Sequence, residues 1–288
     1  MVTFNRLIEQ LKKNKTKKKI ALPQAMDESS IEALWEAREL VDARLFGLES
    51  EIREIIKNKG YDEEHFEIVH IDGEKKAAIA AVSSVRNGEC HMLMKGKLST
   101  GSFLKSVLDK EYGLRSGSLL SHVMVAEYKD NLIFVTDGGM NIKPSIEDLL
   151  QITKNGLDVA KNSGLDNPTS ALLSAQTESL SVPEAEKIAM DLSQIFLQCN
   201  FPYIFEGALA LEDMFYFDTL PDVIVVPHIE AGNLFGKSMI YFHGLKSAGI
   251  IAGATAPVIM LSRADEPETK FNSIALASVV ADNMGGKK

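Results

Sequence analysis

Short apolar runs alternate along this chain with longer stretches whose apolar residues recur every three or four positions. Phe4, Leu7, Ile8 and Leu11 predict an amphipathic helix over 4–12, and Lys19–Leu22 a brief strand. Asp27-Glu28-Ser29-Ser30 reads as a helix start, followed by Ile31, Leu34, Ala37 and Leu40 at helical spacing. A strand is expected over Arg44–Leu48, a helix over Ser50–Lys59 stopped by Gly60, and a strand over Glu67–Ile71. Next come an alanine-rich helix from Lys75 to Asn87 and a strand from Cys90 to Met94. Strands and helices taking turns in this way argue for a parallel α/β domain.

The rest of the chain continues the alternation. A helix from Ser99 through Leu108 precedes strands at His122–Glu127 and Leu132–Val135. A long helix over Ser145–Ser163 stops at Gly164, and Ala171–Leu173 is a strand. Pro183–Cys199 is helical and Phe201–Phe205 a strand. The segment Asp222–Ala281 then reads strand, loop, helix, strand, charged loop, helix. Its first strand is Asp222–Val226. The turn cluster Glu230–Asn233 offers Asn233 as a helix cap, and the helix carries Leu234, Met239, Phe242 and Leu245 to near Gly249. Pro257–Leu261 is the second apolar run. There is no internal repeat and no low-complexity segment.

At 288 residues the chain has room for two α/β lobes or one large one. Its net charge of −9 argues against broad nucleic-acid binding, yet leaves room for a local basic pocket that takes an anionic small molecule. Cys90 and Cys199 have no paired spacing, which suggests reduced thiols in a cytoplasmic protein. No apolar run reaches membrane-span length; Gly249–Leu261 comes nearest and contains Thr255 and Pro257. The N-terminal lysine run precedes Ile20-Ala21-Leu22-Pro23, too short for a signal-peptide core.

Chemistry in open α/β sheets sits at the carboxyl ends of strands. Ser262 and Arg263 follow one such end and are the first candidates. Lys95-Gly96-Lys97 followed by Ser99-Thr100-Gly101-Ser102 makes either an anion cradle or a basic turn with a helix cap. Thr136–Asn141 holds two glycines, and Ser174–Ser179 is rich in hydroxyls. Ala231–Ser238, AGNLFGKS, fits a relaxed phosphate-binding-loop pattern between strand and helix, but has alanine where glycine normally relieves the turn. The plainer reading is that Asn233 caps the helix and Lys237 follows one turn later. GxGxxG and G-x-S-x-G motifs are absent, and the six histidines show no metal spacing; His228, at a strand end, stays in reserve. The polar strand ends therefore suggest phosphate-bearing ligands, with no covalent nucleophile and no metal.

Taken in order, several of these motifs resemble the phosphate acetyl/butyryltransferase family. They are LMKG (Leu93–Gly96), GLRSG (Gly113–Gly117), LSHV (Leu120–Val123) and VTDGGMN (Val135–Asn141) with Pro144. LSAQTES (Leu173–Ser179), EGALALED (Glu206–Asp213), VPHIEAGN (Val226–Asn233) with Lys237, SRAD (Ser262–Asp265) and SIALA (Ser273–Ala277) follow. Together they span about two thirds of the chain, from Leu93 on. LALED, SRAD and SIALA look more like the butyryl and branched-chain members.

The resemblance implies a fold like the isocitrate and isopropylmalate dehydrogenases: two α/β lobes with the active site in the interlobe cleft. The first lobe would comprise 1–136 and 265–288, and the second, inserted lobe 137–264. It implies reversible acyl transfer between acyl-CoA and inorganic phosphate, giving acyl phosphate and CoA. Coenzyme A is then a co-substrate, with no tightly bound cofactor, and the protein a homodimer or higher homo-oligomer. Arg263 would hold the phosphate or developing oxyanion, and Ser262 would donate to the carbonyl oxygen or the thiol. Acetyl members carry a basic aspartate six residues after the matching arginine; here that position is Thr269, leaving Glu268 or Asp265 as substitutes. Ser174, Thr177, Asn141, Asn233 and Lys237 would bind substrate, and Lys95, Thr100 and Arg115 the CoA phosphates. Competing readings are a phosphate acetyltransferase, a non-catalytic CoA-binding regulator, an NAD-dependent oxidoreductase and a nucleotide-binding P-loop protein.

Overall fold

The structure, a computed structural model, describes residues 2–175, 184–199, 201–215, 220–260 and 265–284. Their contacts divide them into a terminal unit, drawn from 4–118 and 248–288, and a central unit, drawn from 1–3 and 119–247. The sequence reading put the junctions at 136/137 and 264/265.

The terminal unit opens with α1 (Phe4–Lys13), β1 (Lys18–Pro23), α2 (Glu28–Glu36), β2 (Val41–Gly47), α3 (Glu49–Lys59) and β3 (Phe66–His70). It continues with α4 (Glu74–Arg86), β4 (Met92–Met94) and α5 (Thr100–Val107). After the central unit come β10 (Ser247–Ala252), β11 (Val258–Ile259) and α9 (Pro267–Met284). The strand order is β3-β2-β1-β4-β11-β10. All neighbours are parallel except β11 and β10, which pair antiparallel at Val258 and Ile251. Ile20, Leu22, Leu45, Leu93 and Val258 are fully buried, as strands covered on both faces require. α9 packs on α1, α2, β1, β4 and β11, and every residue from Asn272 to Ala281 is buried. Its run of Ala, Ser and Val lets it lie close on those neighbours.

The central unit holds β5 (Ser121–Tyr128), β6 (Asn131–Thr136), α6 (Ile146–Asn162), β7 (Thr169–Ser174) and α7 (Glu184–Gln198). β8 (Ile204–Ala210), β9 (Val223–Val225) and α8 (Ile229–Tyr241) complete it. β5 and β6 form an antiparallel pair, and β6, β9, β7 and β8 run parallel in that order. That antiparallel pairing, extended by β9 on β6, is what ties β5 and β6 to the central unit. α6 begins with a capping box: the Ser145 hydroxyl accepts from the Asp148 N–H, and the Asp148 carboxylate accepts from the Ser145 N–H.

Most predicted elements stand within two residues of their observed bounds; five do not. α2 ends at Glu36, four residues short of Leu40. β2 starts at Val41 because Arg44 does not break it: its guanidinium meets Glu67 at 2.7 Å and also Glu89. β8 runs through Glu206-Gly207, because Gly207 takes a φ of 95° and the register against β7 shifts there. α8 ends at Tyr241, where Gly244 at φ 62° turns the chain into the unpredicted β10. Glu268 and Lys270 lie on α9, not in a charged loop, because the helix already starts at Pro267.

Asp222 ends the loop before β9, and its carboxylate accepts the Thr169 N–H at 2.9 Å. Burial pushes its carboxyl above the usual aspartate range; the Thr169 hydrogen bond opposes that shift and the Glu206 charge adds to it. A raised folded-state pKa makes Asp222's contribution fully present below the unfolded value of about 3.9 and lost as pH rises through the folded one. Asp222→Asn keeps an oxygen for Thr169 and removes that loss. Its melting temperature should match or trail the parent near pH 3 and exceed it at pH 7; a deficit at pH 7 would refute this account.

Candidate active site

Parallel strands deliver their carboxyl ends to one edge of a sheet. In the central unit Thr136 pairs with Val225, and Val225 with Leu172, so three strands end nearly level. The loop leaving β6 is built around Asp137, which is only 2% exposed. Its Oδ1 accepts the N–H groups of Gly139 at 2.8 Å and Met140 at 3.0 Å. Its Oδ2 accepts the Asn141 N–H at 3.1 Å and Asn141 Nδ2 at 2.6 Å. Asn141 Nδ2 also donates to the Leu120 carbonyl at 2.9 Å, so both its amide hydrogens serve the fold. One buried carboxylate thus satisfies four donors and fixes the turn.

That loop lies backbone to backbone against the start of α8. A Cβ on Gly138 would come 2.8 Å from the Gly232 carbonyl carbon, and one on Gly232 would come 2.7 Å from Gly138 Cα. Asn233 Nδ2 closes the contact on the Gly138 carbonyl at 3.3 Å. Asn233 does not cap the helix as expected. α8 starts four residues earlier, and its cap is His228, whose Nδ1 accepts the Ala231 N–H at 3.3 Å. Lys237 is exposed one turn beyond Asn233. The phosphate-loop reading of Ala231–Ser238 fails, because all eight residues lie within α8 and offer no open loop of N–H groups.

Ser174 ends β7 at 8% exposure, and its Oγ is buried with no hydrogen-bond partner among the described residues. A desolvated hydroxyl left unpaired costs about 1–3 kcal/mol, a penalty a bound acceptor or donor would relieve. Thr177, Ser262 and Arg263 lie outside the described residues.

In the terminal unit the corresponding edge is cationic. The Lys95 N–H donates to the Ile259 carbonyl at 2.9 Å, so β4 and β11 end side by side. The chain beyond Ile259 leads to Ser262 and Arg263. Gly96 is required by contact: a Cβ there would sit 2.1 Å from the Pro23 carbonyl oxygen. Ser99 caps α5 by accepting the Ser102 N–H at 3.0 Å, and Thr100 is the exposed first residue of that helix. Lys95 lines an open pocket of about 310 Å³ together with Asp27, Ser29, Lys97, Ser99 and Lys270. Lys270, which the sequence reading left in a loop, donates to Ser29 Oγ at 2.7 Å. Arg115 does not line this pocket; it is exposed and bridges to Ala254. Glu268 is exposed in the first turn of α9. Among the described residues no group of three or more His, Cys, Asp or Glu side chains could hold a metal ion.

Residues 74–278 match the family described as phosphate acetyl/butaryl transferase. The chain is 38% identical to phosphate butyryltransferase of Clostridium acetobutylicum, over 98% of this chain and 99% of that protein. The crystal structure of a branched-chain phosphotransacylase from Enterococcus faecalis superimposes with a TM-score of 0.76 at 28% identity, covering 92% of this chain and 99% of that one. 4-Hydroxythreonine-4-phosphate dehydrogenase from Klebsiella pneumoniae shares the fold alone, with a TM-score of 0.63 at 12% identity over 92% of this chain and all of that one. The family match defines an acyltransferase, built on an α/β fold that the dehydrogenase shares. The chain belongs to the phosphate acetyl/butyryltransferase family.

Gly232→Ala should disturb this edge out of proportion to its one added methyl. Overpacking of backbone against backbone costs about 1–3 kcal/mol. Denaturant titration should show that loss, whereas Gly101→Ala, where an added Cβ meets nothing within 4 Å, should leave stability nearly unchanged. Equal stability of the two variants would contradict the packing described.

Proposed function

We propose that this protein transfers a short acyl group, butyryl or branched-chain, reversibly between coenzyme A and inorganic phosphate. In one direction a phosphate oxygen attacks the thioester carbonyl, and the CoA thiolate leaves. In reverse, the thiolate attacks the acyl phosphate and phosphate leaves. Both directions pass through a carbonyl oxygen that gathers negative charge, and both handle a phosphate anion. Fixed cations and hydrogen-bond donors are the catalysts such a path needs. Arg263 would grip the phosphate or the oxyanion in two-point fashion, and Ser262 would donate to the carbonyl oxygen or the sulfur. Glu268 is the proposed base for the CoA thiol, since the position six residues after Arg263 is Thr269. Ser174, Thr177, Asn141, Asn233 and Lys237 are assigned to substrate, and Lys95, Thr100 and Arg115 to CoA.

The observation that carries this reading is the register of β4 and β11. It brings Met260, two residues before Ser262, out at the same strand edge as the Lys95 pocket. The butyryl preference rests on the names of the Clostridium and Enterococcus proteins and on the LALED, SRAD and SIALA phrases. We assign the protein to the cytoplasm, a reading supported by its two free cysteines; no helix of the described residues is long and apolar enough to cross a membrane. A homodimer or larger homo-oligomer is proposed because Leu234 and Tyr241 on α8, and Phe242 at its C-cap, are exposed at 71%, 65% and 87%.

Thiol release from acetyl-, butyryl- and isobutyryl-CoA tests the reading. Release that depends on phosphate and is fastest with butyryl- or isobutyryl-CoA is expected, and no phosphate-dependent release from any of them would end it. Arg263→Ala should keep its melting curve and lose turnover by about 10²–10³, the usual effect of deleting one oxyanion donor. Near-normal turnover in that variant would remove Arg263 from the catalytic set.

A further inference from the structure

The parallel strands of the central unit also have an amino-terminal edge, which acyl transfer leaves without a use. A pocket of about 400 Å³ opens there, lined by the starts of β6 and β7, the loop into β9, Glu206 of β8 and the β5–β6 turn. We propose that it binds a free α-amino acid with a short apolar side chain, the ammonium group held by Glu206 and Asp222 and the carboxylate by Lys129. This site is separate from the strand ends to which acyl transfer is assigned, and does not depend on that reading.

The charges in the lining are unbalanced in a way that calls for a cation. Glu206 and Asp222 both line the pocket, and neither forms an ion pair among the described residues. Asp222 Oδ2 accepts the Thr169 N–H at 2.9 Å, which is a neutral partner. Burial pushes the Asp222 carboxyl up, and the Glu206 charge pushes it further. An ammonium group between them would supply the countercharge and charge-assisted hydrogen bonds. A metal ion fits less well: among the described residues no group of three or more His, Cys, Asp or Glu side chains could hold one, and Lys129 would repel it.

Lys129 makes the occupant a zwitterion. It is exposed, forms no ion pair among the described residues, and sets its Nζ 5.3 Å from the centre of the Tyr128 ring, which attracts the ammonium without neutralising it. Tyr128 pairs with Asn131, so Lys129 and Asp130 alone form the hairpin turn, with φ of 47° and 62°. Such turns favour asparagine and glycine, and a lysine held in left-handed backbone is a mark of function more than of folding. A plain amine would leave this lysine without a partner, and a plain carboxylate would meet two like charges. Leu220, Pro221 and Ile133 add an apolar wall, and the volume lies near the small end of ligand clefts, roughly 300–1,000 Å³. Room, two acceptors of positive charge, one donor to negative charge and an apolar wall describe an amino acid such as valine or leucine. The sequence hid this site, because its charges come from the β5–β6 turn, from β8 and from the residue before β9.

Isothermal titration of the full chain with L-valine, L-isoleucine and L-leucine tests the assignment. Isobutylamine and isovalerate, which are valine without its carboxylate and without its ammonium, serve as controls. Glu206→Gln, Asp222→Asn and Lys129→Met are compared with the parent, with melting curves to confirm that each is folded. At least one of the three amino acids should bind the parent, and both controls about tenfold or more weakly. Glu206→Gln and Lys129→Met should each weaken the amino acid by about tenfold or more, the loss of one charge-assisted contact. Binding of none of the three by the parent would overturn the proposal and leave the acyltransferase reading untouched. Binding that survives both Glu206→Gln and Lys129→Met would overturn it too, since the amino acid would then sit elsewhere. Isobutylamine as tight as valine, with no effect of Lys129→Met, would replace the amino acid with a simple amine. Glu206 and Lys129 are exposed, so their variants remain informative if Asp222→Asn fails to fold.

Discussion

Two neighbouring strands that run parallel cannot be joined by a tight turn. The chain must cross back over the sheet, and here it usually does so as a helix. Both units of this protein obey that constraint. Every parallel strand ends at the same edge as its neighbours, and many of the helices that follow begin there. The edge therefore gathers loop N–H groups, helix starts and polar side chains without any local sequence having to arrange it. Asp137, Ser174 and His228 meet at one such edge, and Lys95, Ser99 and Lys270 at the other, only because strands far apart in sequence finish level.

The two edges solve different problems. The central one satisfies itself: the Asp137 carboxylate takes up the donors of its own loop, and Asn141 spends both amide hydrogens on backbone and carboxylate oxygens. What it leaves unsatisfied is the Ser174 hydroxyl. The terminal edge carries three lysines, with Asp27 and Glu74, around an open pocket. A buried, self-contained loop gives shape, and an open cationic pocket gives attraction for anions.

Much of this was legible in the sequence, and the failures share a cause. Buried parallel strands such as Lys18–Pro23 and helices punctuated by Gly60 or Gly164 declare themselves through local chemistry. Asn233 read as a cap because asparagine favours that position; the structure gives the cap to His228, since Pro227 already ends the strand. β10 went unseen because the apolar spacing of the preceding helix continues into its six residues, and only the turn at Gly244 breaks it. The AGNLFGKS pattern matched a motif whose meaning depends on an open loop, and the residues are helical instead. The resemblance of ordered motifs reached the family correctly. The pocket at Lys270 needed the third dimension, because Ser29 and Lys270 lie 241 residues apart in the chain.

The facing glycines at 138 and 232 have one more consequence. Since neither backbone can carry a side chain toward the other, the β6 loop and the first turn of α8 behave as a single mechanical piece. Anyone recombining relatives to broaden acyl range would have to transplant these two segments together, although some ninety residues of chain separate them. A crossover that takes one parent's loop and another's helix would inherit a mismatch at a seam where neither side has slack.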